Sequence, residues 1–139
     1  MTITIAKTDS EKLACFPIVQ ELRPYLKQEE FLEKMKKQEK YGFFLAFITD
    51  NDSIVSVAGL RISENFSEKF MYVDDLITAK KHRSKGYGKF FFQWIIDFSK
   101  QNNCTALELD SGVQRFDAHR FYLMNKMKIE CHHFTLDLK

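Results

Sequence analysis

Between residues 43 and 79 three strand-like apolar runs follow one another with only short polar breaks. Residues 43–49 are continuously apolar, Asp50-Asn51-Asp52-Ser53 is a turn cluster, and 54–62 is a β-branched run with Gly59 inside it. The third run, 70–79, reads Phe-Met-Tyr-Val-Asp-Asp-Leu-Ile-Thr-Ala. A purely parallel sheet needs a crossover of a dozen or more residues between strands, and these breaks leave no room for one. The middle of the chain is therefore an antiparallel meander.

The flanks complete a mixed architecture. Residues 2–7 alternate as a short strand, and Thr8 with Glu11 has capping-box spacing before a helix through Leu13, Ile18 and Leu22. Pro17 marks a first turn or a kink in it, and Arg23-Pro24 ends it. A charged helix at 27–40 carries Phe31, Leu32 and Met35 on one side. After Gly86 the pattern becomes a helix from Gly88 to about Lys100, apolar on most sides and so buried on the sheet. A strand at 105–110, a helix near 114–125 and a strand at 129–138 close the order β-α-α-β-β-β-α-β-α-β. The fold class expected is α/β, a mixed, mostly antiparallel central sheet with helices on both faces, in one domain spanning 1–139.

Composition narrows the function. Twenty-one Lys+Arg against nineteen Asp+Glu give a charge of +2, too balanced for a nucleic-acid binder acting through bulk electrostatics. No apolar run reaches the roughly eighteen residues of a membrane helix, and no signal peptide opens the chain, so neither nucleic acid nor membrane is an expected partner and the location expected is cytoplasmic. Cys15, Cys104 and Cys131 form no paired spacing, which predicts three reduced thiols. Cys131-His132-His133 alternate faces if they lie on a strand and cannot converge on one ion with His119, so no metal is expected.

One segment concentrates positive charge. Lys80, Lys81, Arg83, Lys85 and Lys89 fall within ten residues, around Arg83-Ser84-Lys85-Gly86-Tyr87-Gly88, between a strand and a buried helix. A helix start presents unpaired N–H groups and a positive dipole end, and glycine lets backbone approach an anion closely. Such a loop suits a phosphate or pyrophosphate, although a lone Gly-x-Gly also serves as a plain tight turn. The Gly-Lys-Ser/Thr ending of a nucleotide P-loop is missing, and Phe91 replaces the third glycine of a dinucleotide fingerprint.

Arg83-Ser-Lys-Gly-Tyr-Gly88 resembles the Arg/Gln-x-x-Gly-x-Gly/Ala acyl-CoA loop of the GCN5-related N-acetyltransferases (GNAT). Leu107-Glu-Leu-Asp-Ser111 is similar to that family's fifth strand, and Ala118-His-Arg-Phe-Tyr122 to its Ala-x-x-x-Tyr helix. The resemblance spans nearly the whole chain. It implies an acyl-CoA-dependent N-acetyltransferase that moves acetyl from acetyl-CoA to a primary amine of a small molecule or peptide. It implies pyrophosphate binding by Arg83, Ser84, Lys85, Gly86, Tyr87, Gly88 and Lys89, and pairing of the Leu76, Ile77 and Thr78 backbone with the pantetheine arm. A bulge in that strand would open the cleft. The chain departs from the pattern at Lys126-Met127, where the family often has Gly-Phe, and at Arg115, where it often has Asn. With one strand after the last helix where the family commonly has two, a second copy could complete the sheet as a homodimer.

Three side chains are candidates for the chemistry. Tyr122 lies one helical turn beyond Ala118; taken alone it reads as a core aromatic, and the resemblance makes it the acid that protonates the leaving thiolate. Asp74 and Asp75 are adjacent on a strand, so they are expected on opposite faces, one of them orienting a cationic amine and each equally a solvated carboxylate. No Cys or Ser stands at a nucleophile motif, which favours direct attack in a ternary complex. The alternative is a non-catalytic acyl-CoA-sensing or protein-interaction domain of the same fold.

Overall fold

Thr8 and Glu11 form the capping box their spacing predicts in the computed structural model, which describes residues 1–139. The Glu11 N–H donates to Thr8 Oγ1 at 3.1 Å and the Thr8 N–H donates to Glu11 Oε2 at 3.0 Å. The Lys7 N–H, at 2.7 Å, and the Thr8 N–H hold the Glu11 carboxyl below the ordinary glutamate range. The box separates β1 (Thr2–Ile5) from α1 (Asp9–Leu22), which accommodates Pro17 internally and stops before Arg23-Pro24. On α2 (Gln28–Glu39) the expected apolar side is real: Phe31 and Met35 are buried.

The meander is present as read. β2 (Phe43–Asp50) and β3 (Ser53–Glu64) are joined through Asn51 and Asp52, whose φ values of 48° and 60° make the left-handed pair of a type I′ turn. β4 (Lys69–Thr78) follows, and α3 (Tyr87–Gln101) crosses over to β5 (Ala106–Glu108). The sheet order is β1-β2-β3-β4-β5, antiparallel throughout except for the parallel β4–β5 pair.

Alternation along β2 fixes which helix covers which face. Leu45 and Phe47 join Val57 and Ile77 in one core with Cys15, Phe16 and Val19 of α1 and with Phe31 and Met35 of α2. Phe44, one residue out of phase, meets Phe98 of α3 at 5.9 Å between ring centroids. Helices thus lie on both faces. Phe91, Phe92 and Ile95 of α3 are fully buried, each contributing about 1.5–3 kcal/mol by leaving water.

The chain forms two compact units, Met1–Glu108 and Leu109–Lys139. The second contains α4 (Phe116–Met124), which ends in a Schellman motif: the Met127 N–H donates to the Tyr122 carbonyl and the Lys126 N–H to that of Leu123, both at 3.0 Å. Lys126 sits at φ 66°, so it adopts the left-handed conformation for which glycine is suited. The strand expected at 129–138 does not form. A strand exists only where a neighbour supplies ladder hydrogen bonds, and none pairs with this segment, whose Ile129, Phe134, Leu136 and Leu138 are exposed.

Candidate active site

The β3–β4 register slips between Gly59 and Leu60: Gly59 pairs with Asp75 and Leu60 with Val73, leaving Asp74 as the extra residue of a β-bulge in β4. On its other edge β4 pairs with β5 only through Phe70, Met71 and Tyr72. Beyond Tyr72 no strand pairs with that edge, so β4 carries a row of backbone groups available to an extended ligand. Leu76, Ile77 and Thr78 lie on this stretch, anchored from the opposite side by Ala58, Val57 and Ser56. Buried Ser56 secures the end of it: its Oγ donates to the Ile77 carbonyl at 2.8 Å and shares a hydrogen bond with Thr78 Oγ1 at 3.1 Å.

From there the chain runs directly into the basic loop. The Lys80 N–H donates to Glu21 Oε2 of α1 at 2.8 Å, and a 3₁₀ turn at Lys80–His82 leads to Arg83. Ser84 at φ 63° and Gly86 at φ 85° reverse the backbone, and Gly86 stands as N-cap of α3 with no side chain capping the helix. The N–H groups of the first turn are therefore free of side-chain acceptors. A Cβ placed on Gly86 meets nothing within 4 Å, so the space in front of the turn is open. Arg83, Ser84, Lys85 and Lys89 are exposed around it, while Arg83 Nε turns back to the Thr78 carbonyl at 3.3 Å. Tyr87 is tied elsewhere: its hydroxyl donates to Asp50 Oδ2 at 2.6 Å, and that bond, with a smaller effect of burial, raises the phenol pKa. These features fit a pyrophosphate, which needs unpaired N–H donors, clearance and nearby positive charge.

On the α1–α2 side of the sheet, the bulge forms the wall of a cavity of about 300 Å³. Both Asp74 and Asp75 line it, against the expectation that they face opposite ways. The cause is the bulge: the extra residue breaks strict alternation, so adjacent side chains can share a face. Neither carboxylate is an open charge. Asp75 Oδ1 accepts from Arg23 Nε at 2.8 Å and from an Arg23 terminal nitrogen at 2.7 Å. Asp74 takes Arg61 in a fork, with Nε on Oδ2 at 2.7 Å and a terminal nitrogen on Oδ1 at 3.2 Å. The rest of the lining is largely apolar, with Val19, Phe31, Met35, Phe43 and Leu45 among it.

Arg23, Arg61 and Gly59 escape sequence reasoning as site residues. The two arginines lie 52 and 13 positions from their carboxylate partners, a proximity only the sheet and α1 create. Gly59 did carry a signal, because a glycine inside a strand marks a bulge or a close approach. A Cβ there would stand 2.9 Å from the Phe43 ring and 3.0 Å from Asp75 Oδ2. His82 was equally silent; its Nε2 is buried without a hydrogen-bond partner, and its ring meets Tyr87 edge-on.

In the second unit, Tyr122 is half-buried on α4 and packs edge-on against Phe121. Burial raises its phenol pKa, with Arg115 opposing the shift, so the hydroxyl keeps its proton near neutrality. Cys131, His132 and His133 are exposed and not on a strand, so the alternating-face argument does not apply to them; no group of three or more His, Cys, Asp or Glu side chains gathers as a metal site. All three cysteines are free thiols. No helix is long and apolar enough to cross a membrane.

Comparison with known proteins agrees with this geometry. The chain is 34% identical to the uncharacterised N-acetyltransferase YhdJ of Bacillus subtilis (strain 168) over 110 residues, 77% of each chain. Its fold matches an acetyltransferase of Trypanosoma brucei at a TM-score of 0.80 and 19% identity, over 99% of each chain. It also matches a transcriptional regulator from Bacillus halodurans C-125 at 0.86 and 18%, again over 99% of each. The family model for the acetyltransferase (GNAT) family matches residues 8–125. With sheet, bulge, basic turn and sequence match in agreement, the chain belongs to the GNAT family and is an acyl-CoA-dependent N-acetyltransferase.

Proposed function

We propose that the protein moves the acetyl group of acetyl-CoA, the family's co-substrate, onto a primary amine by direct attack in a ternary complex. The observation that carries this reading is the continuous path from the bulge at Asp74, along the unpaired edge of β4, to the open turn at Gly86. The thioester supplies an activated acyl carbon and a thiolate leaving group. Along the path, the backbone of Leu76, Ile77 and Thr78 aligns the pantetheine as an added strand would. The first N–H groups of α3, with Arg83, Ser84, Lys85, Tyr87, Gly88 and Lys89 around Gly86, hold the pyrophosphate.

The amine enters from the cavity behind the bulge. Asp74 and Asp75, each held by its own arginine, shape this wall and fix the bulge, so their part is positioning more than proton abstraction. Confining amine and thioester together supplies much of the rate, since bound reactants avoid the entropy of encounter. Tyr122 is assigned the proton for the departing thiolate, a role resting on its place in the family's helix motif and on its protonated phenol. The reaction is assigned to the cytoplasm.

A thiol-release assay over a broad amine panel, paired with intact-protein mass spectrometry, tests the reading. CoA release that depends on an amine, with the protein mass unchanged throughout, is the expected result. Accumulation of acetylated protein would replace direct attack with a covalent route. Tight acetyl-CoA binding without release for any amine would favour the sensing alternative.

A further inference from the structure

The charge pattern of the cavity speaks to the acceptor. Two acids, Asp74 and Asp75, and two bases, Arg23 and Lys34, line it, and Arg61 behind Asp74 adds a third positive charge. The acids are already occupied. Arg61 forks onto Asp74, and both Arg23 bonds fall on Asp75 Oδ1, with Oδ2 turned toward Gly59. An entering ammonium would meet carboxylates whose charge the guanidiniums already balance.

The bases keep capacity. A guanidinium has five N–H donors; those of Arg23 serve Asp75 and the Asp74 carbonyl at 3.4 Å, which leaves the fork incompletely used. Its side chain remains 37% exposed. Lys34 is 46% exposed and makes only a long 3.4 Å pair with Glu30, the kind of surface pair that contributes little. Apart from these charged groups the lining is mostly apolar, with Tyr25 and Gln38 as its polar members.

We propose that the acceptor is a compact amine with an apolar body and an anionic group of its own, a carboxylate or a phosphate, held by Arg23 and Lys34 while the amine points to the bulge. Polyamines and other purely cationic amines are disfavoured. The arrangement also suits the chemistry: a site whose carboxylates are neutralised does not stabilise the ammonium form, and only the free amine attacks. The inference rests on the transferase reading above for its orientation, but not for its charge preference.

Matched pairs test it: phenylalanine against phenethylamine for the carboxylate, and phosphoethanolamine against ethanolamine for the phosphate. At low ionic strength, kcat/KM should favour the anionic member of at least one pair by about tenfold or more, equivalent to about 1.4 kcal/mol. Lys34→Met should raise KM for that member with kcat little changed, and Arg23→Lys should shrink the preference further. Equal or better turnover of the non-anionic members would overturn the proposal and leave the transferase reading intact. If no amine is turned over, calorimetry on the CoA-loaded protein decides: selective binding of an anionic member, weakened by Lys34→Met, supports the charge preference while the transferase reading falls. Absence of selective binding overturns the proposal.

Discussion

Gly86 offers the sharpest perturbation, because its two properties, positive φ and an open forward face, can be separated. At φ 85° a residue with a Cβ pays roughly 1–2 kcal/mol, and a β-branched one more. A new Cβ meets no protein atom, so any loss of cofactor affinity comes from the ligand side or from the turn relaxing to escape strain. Two hydrogen bonds to a charged phosphate contribute about 1.5–3 kcal/mol each, so losing both weakens binding by about 10²–10⁴-fold. Gly86→Val should reach that range in calorimetric titration with acetyl-CoA. Gly86→Asn tolerates positive φ yet projects bulk into the open face, so its affinity should fall while its melting temperature stays near the parent's. Gly86→Val should also lose several degrees of melting temperature. Parental affinity in both variants, with native circular dichroism, would remove this turn from the cofactor site.

Three further outcomes follow from individual side chains. Tyr122→Phe keeps the ring and its contact with Phe121, so single-turnover acetyl transfer should slow by about 10²–10⁴ with acetyl-CoA affinity little changed; a loss within about threefold would make Tyr122 a packing residue. Lys126→Gly relieves a left-handed lysine in the Schellman motif and should stabilise the fold by about 1 kcal/mol in denaturant titration; no gain would mean that the turn is not held in that conformation. Burial pushes the Cys15 thiol up from 9.0 to about 12, so the folded state holds a proton that the unfolded chain sheds above about pH 9. That contribution is whole below pH 9 and is lost as pH climbs toward 12, narrowing the stability gap between parent and Cys15→Ala by about 2 kcal/mol near pH 10.5. A gap independent of pH would show that Cys15 is not sealed.

The local parts of this fold were legible because local physics sets them. The capping box at Thr8 and Glu11, the Asn51-Asp52 turn and the basic glycine turn each depend on residues within a few positions of one another. The strand at 129–138 was misread because alternation shows what a segment would do beside a partner, not whether the partner exists. The candidate site was half legible. Its loop and strand carry a pattern, but the bulge at Asp74 comes from pairing register, and the arginine partners of both acids come from the C-cap of α1 and from β3. The acidic pair alone suggested one carboxylate orienting a cationic amine, whereas tertiary structure puts both acids on one cavity wall, each paired with an arginine.

Hydrogen exchange of the backbone, followed by mass spectrometry with and without acetyl-CoA, tests the central claim most directly. The unpaired edge of β4 and the first turn of α3 should gain protection together: residues 76–78 by pairing with the pantetheine, and 84–89 by donating to the pyrophosphate. The β1–β2 edge should be unchanged. Protection of only one of the two segments, or binding that protects neither, would contradict the path from the bulge to the Gly86 turn.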